Sequence, residues 1–271
     1  MHGIKLHGMK EGAGPVYFFG PEAGPVLGML PGRRIALFLD FDGTLVPIQK
    51  DPDRCALSEE TKDQLRALAG SGRHFVSVLS GRALSDIKSR VGIQNICYGG
   101  NHGLVISGNG LRFVHQEAAR AMRAIDRAAQ KLNKEITVFS PGAWVEQKKY
   151  SVSLHYRLAG KKAVPELKRI FHEVAADVSA GKLLAVMKGK KVLELMPASW
   201  DKGQAVLWML NRLEGGYLPM FIGDDVTDEA AFRELKKRGI TIRVGKSKST
   251  LANFYLKNRQ EVYRLLEAIR A

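Results

Sequence analysis

Short apolar runs recur along this chain, and several end in a small group of polar or acidic residues. The clearest are residues 35–39, 75–79, 220–222 and 241–244. Runs this short and continuously apolar suit strands buried on both faces. The stretches that follow them, residues 57–69, 83–91, 202–213, 227–237 and 261–269, have helical spacing. That alternation predicts an α/β fold, a central parallel sheet flanked by helices. Local signals agree with it. Ser58 is placed to cap a helix whose first residues, Glu59 and Glu60, suit the positive end of its dipole. Gly70 and Gly239 stand where two of the helices should stop.

The rhythm is interrupted. After short strands at 95–98 and 103–106 and a hairpin tip at 108–110, residues 113–197 read as an inserted α+β unit. Its helices are expected at 117–132 and 163–178, and its strands at 144–148, 151–157, 183–187 and 192–195. Strand alternation puts Glu146 and Lys148 on one face, and likewise Ser153, His155 and Arg157, while Val152, Leu154 and Tyr156 point the other way. Glu194 alternates with Leu193 and Leu195, so one face of this small sheet is polar. The expected organisation is a loosely structured lead-in at 1–32, a core made of 33–112 and 198–271, and the insertion at 113–197.

Composition narrows the class. With 45% hydrophobic residues the chain is neither disordered nor fibrous. Its longest apolar runs fall far short of a membrane span, so no membrane partner is expected. Glu11, Glu22 and several glycines break up the first thirty residues, unlike a signal-peptide core. Two cysteines, Cys55 and Cys97, without a CxxC pair argue against a disulfide framework and fit a reducing cytoplasm. The net charge of +15 favours anionic partners without choosing among them. Basic clusters such as Lys161-Lys162, Lys188-Lys190-Lys191 and Lys236-Lys237-Arg238 admit a nucleic-acid-binding reading. No interleaved aromatic stripe accompanies them, so they read as solvated loops and no nucleic acid is expected.

The chemistry sits at the strand ends. In Leu39-Asp40-Phe41-Asp42-Gly43-Thr44-Leu45 two carboxylates stand two positions apart at the end of a buried strand, on the same side of an extended chain. Such burial is costly unless compensated. A strand-to-turn junction accounts for one such residue; a nucleophilic carboxylate (Asp40) beside a general acid/base (Asp42), with a divalent cation offsetting their repulsion, accounts for both. Gly223-Asp224-Asp225-Val226-Thr227-Asp228-Glu229 follows another buried strand and offers the oxygen ligands that Mg²⁺ prefers. Acidic capping of a helix explains its last three residues but not Asp224 and Asp225 together. Ser80-Gly81-Arg82 follows a third strand, where a hydroxyl and backbone N–H groups suit a phosphate, although the same residues also make an ordinary turn. Lys202 lies at a helix start, an unfavourable place for a cation unless an anion is near.

These four elements, in this order, resemble the haloacid dehalogenase (HAD) superfamily of phosphotransferases, and the likeness covers residues 34–271. It implies a Rossmann-like core, with the insertion as a C2-type cap domain that closes over the substrate. It further implies Asp40 as nucleophile and Asp42 as acid/base, with Thr44, Ser80, Gly81, Arg82 and Lys202 on the phosphoryl group. Mg²⁺ would be held by Asp40, Asp42 through its carbonyl, and Asp224, with Asp225 or Asp228 in support. Within the superfamily the chain is similar to the trehalose-6-phosphate phosphatases. The residues that carry this are Gly100-Asn101-His102-Gly103, Glu146 and Lys148 followed by 151–157, Glu194 in Leu193-Glu194-Leu195-Met196-Pro197, Trp200 to Gly203, and the acidic string extended to Phe232. The resemblance implies hydrolysis of trehalose 6-phosphate in trehalose biosynthesis. The sugar would be bound by Glu146, Lys148 and Glu194, joined by Asn101, His102, Gly103 and His155. Phosphatases of sucrose 6-phosphate or a mannosyl phosphoglycerate share the same core and stay open as alternatives, as does, more remotely, a basic nucleic-acid-binding protein. A small sugar phosphate is the expected partner, and a monomer the working expectation.

Overall fold

The structure is a computed structural model that describes residues 14–49, 55–179 and 183–270. In chain order its elements begin with β1 (Val16–Tyr17), α1 (Gly24–Gly28), β2 (Ile35–Asp40), α2 (Glu59–Gly70), β3 (Phe75–Leu79), α3 (Leu84–Val91), β4 (Cys97–Gly100), β5 (Val105–Gly108) and β6 (Leu111–Val114). There follow α4 (Gln116–Phe139), β7 (Trp144–Lys148), β8 (Ser151–His155), α5 (Val164–Val178), β9 (Leu184–Gly189) and β10 (Val192–Pro197). The chain closes with α6 (Lys202–Leu210), β11 (Leu218–Gly223), α7 (Glu229–Leu235), β12 (Ile240–Val244), β13 (Phe254–Leu256) and α8 (Gln260–Arg270). Residues 114–200 form one compact unit, and the segments before and after them form another.

The second of these holds a nine-stranded sheet in the order β1-β13-β12-β11-β2-β3-β4-β5-β6. From β1 to β4 every pairing is parallel, and β5 runs antiparallel to its neighbour β4. All six residues of β2 and all five of β3 are buried, as two-sided strands must be. The helices between them behave as their sequences require. The Ser58 hydroxyl accepts the Thr61 N–H at the start of α2, and Gly92, with φ +63°, ends α3. Strand β2 lies between β3, which follows it, and β11, which comes late, so the sheet changes direction at β2. In open α/β sheets ligands bind beyond the carboxyl ends of strands at such a point. Register places the site there: Asp40 pairs with Leu79, just before Ser80, and Leu39 with Ile222, two residues before Asp224.

Residues 14–32 correct the expectation of a loose lead-in. Val16 and Tyr17 pair in parallel with Phe254 and Tyr255 at the sheet edge, and Phe18, Ala23 and Leu30 are fully buried. Phe18 packs edge-on against Phe254 at 5.3 Å, and the Tyr17 hydroxyl donates to Glu261 at 2.6 Å. Residues 1–13 of that expectation lie outside the described residues.

In the unit formed by residues 114–200, β7, β8, β10 and β9 make an antiparallel sheet in that order. One of its faces packs on α4 and α5: Val152, Leu154, Leu193 and Leu195 join Ile125, Leu132, Leu167 and Phe171 in one apolar cluster. The opposite face is polar, as alternation requires. Helix α4 runs on to Phe139, beyond the expected end at 132, with Ile136 continuing its buried stripe.

Candidate active site

Three loops and one helix start converge at the carboxyl ends of β2, β3 and β11. Asp40 ends β2, and the turn beyond it is closed by Leu45 and Val46 N–H groups donating to the Phe41 carbonyl. Gly43 sits in that turn with φ +97°, and a Cβ there would stand 2.3 Å from Asp224 Oδ2. Only glycine supplies both the left-handed backbone and the space. From the β11 loop, Asp228 Oδ2 accepts the N–H groups of Asp224 and Asp225, both at 2.9 Å. This fixes the Asp228 carboxylate and leaves its other oxygen for Lys202.

Lys202 enters from the first turn of α6, whose N-cap Asp201 accepts the Gln204 N–H. Helix α6 lies so close on α7 that a Cβ at Gly203 would meet the Ala230 carbonyl at 2.6 Å. The ammonium, 2% exposed, donates to Asp40 Oδ1 and to Asp228 Oδ1, both at 2.6 Å. Asp40, Asp224 and Asp228 are all buried and can bring one oxygen each to within 4.8 Å of one another. Burial pushes the Asp40 carboxyl well above the usual carboxylate range; Lys202 opposes the rise, and the charges of Asp228 and Asp224 add to it. Burial also works against the Lys202 ammonium, but Asp228 and Asp40 outweigh it and hold its pKa above that of an ordinary lysine.

Two buried oxygens on the β2 loop, Asp40 Oδ2 and Thr44 Oγ1, make no hydrogen bond to the described residues. Leaving such atoms unpaired costs about 1–3 kcal/mol each, so a ligand atom that met them would relieve that cost. Beside it, the buried Ser80 hydroxyl accepts the Arg82 N–H at 3.1 Å. The left-handed turn at Asn101, His102 and Gly103 is pinned beneath this loop: Asn101 N–H donates to the Arg82 carbonyl and His102 N–H to that of Ser80. The His102 ring lies 2.8 Å from where a Gly81 Cβ would be. The Asp42 carboxylate does not join the cluster; each of its oxygens accepts from Arg82. Asp225 is outside the cluster too, whereas Asp228 belongs to it.

On the polar face of the four-stranded sheet a second set of predicted residues meets. Glu146, Ser153 and Glu194 stand in register on β7, β8 and β10. Glu194 Oε1 accepts from Lys148 Nζ at 3.2 Å and from the Ser151 hydroxyl at 2.6 Å. Glu146 Oε2 lies 2.8 Å from His155 Nε2, and the His155 ring stacks on Trp144 at 4.6 Å. Partial burial would raise the Glu146 pKa, but His155 and Lys148 hold it below the ordinary value. Ser151 and Trp144 were not among the predicted sugar-binding residues, although both lie at positions whose alternation matches Glu146 and Lys148.

A profile of the trehalose-phosphatase family matches residues 38–260, which include every acidic residue of the cluster. The chain belongs to the trehalose-phosphatase family. A protein of Mycobacterium tuberculosis described as trehalose-phosphate phosphatase is 38% identical over 236 residues, 83% of this chain and 58% of its own length. Trehalose-phosphate phosphatase B of Arabidopsis thaliana is 35% identical over 257 residues, 88% of this chain and 67% of its own. The chain thus spans little more than half of the mycobacterial relative. Among solved structures, a C-terminal domain titled as Candida albicans trehalose-6-phosphate phosphatase superposes with TM-score 0.82 at 24% identity, covering 95% of this chain and 98% of that one. A trehalose-6-phosphate phosphatase related protein gives TM-score 0.75 at 26% identity over 87% and 96%. The fold is accordingly that of this family, a HAD-type core with a cap domain.

Proposed function

We propose that this chain is a divalent-metal-dependent phosphatase that hydrolyses trehalose 6-phosphate to trehalose and inorganic phosphate, with Mg²⁺ as its metal. The observation that carries this is the buried group of Asp40, Asp224 and Asp228 held against Lys202 at the carboxyl end of β2. Three carboxylates facing one ammonium leave excess negative charge, which would repel a phosphate dianion. Their hard oxygen donors suit Mg²⁺, and the Asp40 oxygen without a protein partner leaves a valence for it. When bound, the cation supplies charge neutralisation.

The protein's own groups perform the rest. An oxygen of Asp40 attacks phosphorus in line with the sugar oxygen. The new O–P bond forms as the bond to the sugar breaks, and Asp42 gives its proton to the departing oxygen. Asp42 then takes a proton from water as the water oxygen attacks phosphorus. The bond to Asp40 breaks, phosphate leaves and Asp40 is restored. Lys202, Ser80, Thr44 and the Gly81 N–H are assigned to the phosphoryl oxygens, since phosphoryl transfer depends on positioning and charge more than on covalent help. Glu146, Lys148 and Glu194 are assigned to the sugar hydroxyls, which charged groups fix through strong hydrogen bonds. No helix among the described residues is long and apolar enough to cross a membrane. Cys55 and Cys97 are free and buried, in keeping with the cytoplasm as the proposed location.

Two variants test the assignment. Asp40→Asn should abolish turnover with the circular dichroism spectrum unchanged. Glu146→Ala should lower kcat/KM on trehalose 6-phosphate far more than on p-nitrophenyl phosphate. Equal losses on the two substrates would overturn the role of the Glu146 face, and residual turnover by Asp40→Asn would overturn the nucleophile.

A further inference from the structure

Asp42 is gripped rather than free. Arg82 Nε donates to its Oδ2 at 2.7 Å, and Arg82 Nη2 donates to its Oδ1 at 2.8 Å. A two-pronged pair of this kind fixes the plane of a carboxylate and its rotation about the last side-chain bond, which a single ammonium would not do. The guanidinium is tethered in turn. Its Nη1 donates to Asp86 Oδ2 at 3.1 Å, Asp86 Oδ1 accepts from Arg90 Nε at 2.7 Å, and Arg90 Nη1 reaches the Cys55 carbonyl at 3.0 Å. Arg82, Asp86 and Arg90 follow one another at four-residue spacing along α3 and its entry, so charges of alternating sign lead from the helix to Asp42. Both arginine side chains are only 13% exposed. Through its N–H, Arg82 also braces the Ser80 hydroxyl, so one residue ties the phosphate loop to the acid/base.

We propose that Arg82 is a positioning residue for Asp42, holding the carboxyl so that the proton it carries on the side away from the guanidinium points to the leaving-group oxygen, and that Asp86 and Arg90 hold Arg82 in this pose. The inference rests on the acid/base reading of Asp42 given above. It sets this role in place of the expectation that Arg82 is a phosphoryl ligand, since three of its five N–H groups are directed to carboxylates.

The leaving group separates the two roles. A sugar alkoxide needs a proton as it departs, whereas p-nitrophenolate leaves as a stable anion and gains little from one. A phosphoryl ligand serves both substrates alike. The ratio kcat/KM reports only steps up to formation of the aspartyl-phosphate, so its later hydrolysis, common to both substrates, does not mask the difference.

The experiment compares Arg82→Ala, Arg82→Lys and Asp42→Asn on trehalose 6-phosphate and p-nitrophenyl phosphate, with and without added guanidinium chloride at non-denaturing concentration. Arg82→Ala is expected to lose about a hundredfold in kcat/KM on the sugar phosphate and less than about fivefold on the aryl phosphate, the scale of general acid catalysis. Added guanidinium should restore at least about tenfold of that loss, and Arg82→Lys should not recover it, since the effect is set by the fork. Equal losses on both substrates without rescue would overturn the proposal. Should Arg82→Ala not fold, Asp86→Asn carries the test: one lost hydrogen bond is expected to lower the sugar-phosphate value alone by about fivefold, and a loss shared by both substrates overturns the proposal. If Asp42→Asn itself shows no leaving-group bias, the acid/base reading of Asp42 fails instead.

Discussion

Exchanging Asp40 for Asn removes one charge from the carboxylate group, and the geometry says which way stability moves. Asp40 has one attraction and two repulsions. At an effective dielectric of about 20, its contact with Lys202 at 2.6 Å is worth about 6 kcal/mol. Under the same dielectric, Asp224 and Asp228, with oxygens within 4.8 Å, each repel it by about 3.5 kcal/mol or more. The two sides cancel, and the cost of burying the carboxylate is left over. Without metal, Asp40→Asn is therefore expected to equal or exceed the native protein in stability, by about 1–2 kcal/mol, while losing its activity under the proposed mechanism. For a chain of this size each kcal/mol shifts Tm by about 2–4 °C. With Mg²⁺ at a hundred times its Kd, the native protein gains about 2.7 kcal/mol, and the variant, short of one ligand charge, gains less. Thermal unfolding in EDTA and in Mg²⁺, on both proteins, makes the comparison. A variant clearly less stable than the native protein in EDTA, or an equal rise of both with Mg²⁺, would refute the charge balance.

Three further outcomes follow from single contacts. Gly43→Ala forces a Cβ onto the Asp224 carboxylate at a left-handed position, and a shift of the order of 1 Å should cost about a hundredfold in kcat; near-native turnover would show the loop to be plastic. Lys202→Met strands two buried carboxylates and should lose about 3–5 kcal/mol of unfolding free energy in EDTA by denaturant titration, whereas a loss below about 1 kcal/mol would mean that the pair is solvated. His74, buried at the start of β3 with Nδ1 accepting the Ile35 N–H, has its pKa pushed down to about 4 by burial and by Arg73. Its neutral form therefore contributes stability in full above pH 6.5, and that contribution is lost as pH falls toward 4. In His74→Gln the decline of Tm across that window should be shallower, and an unchanged slope would assign it to other groups.

How much of this was legible in the sequence depended on range. Features set within a few residues were readable: the Ser58 cap, the two-sided apolar runs of β2 and β3, and the alternation that puts Glu146, Lys148 and Glu194 on the polar face. Lys202 was readable from its awkward place at a helix start, and the structure supplies Asp40 and Asp228 as the anions. Strands β1 and β13 were not, because two or three residues carry no usable period and their pairing spans the whole chain. The full length of α4 was within reach, since Ile136 follows Leu132 at the spacing of its stripe and Pro141-Gly142 stands just past the true end. The grip of Arg82 on Asp42 was invisible, as it joins residues forty positions apart through the register of β2 on β3.

Phosphate release by the purified chain, with Mg²⁺ and with EDTA, across trehalose 6-phosphate, sucrose 6-phosphate, glucose 6-phosphate and p-nitrophenyl phosphate tests the central claim most directly. The account predicts activity only with the metal, and a kcat/KM on trehalose 6-phosphate about a hundredfold above the others, or about 2.7 kcal/mol of discrimination. Metal-dependent activity that is equal on all four, or higher on another sugar phosphate, would contradict the substrate, and undiminished activity in EDTA would contradict the role given to the buried carboxylates.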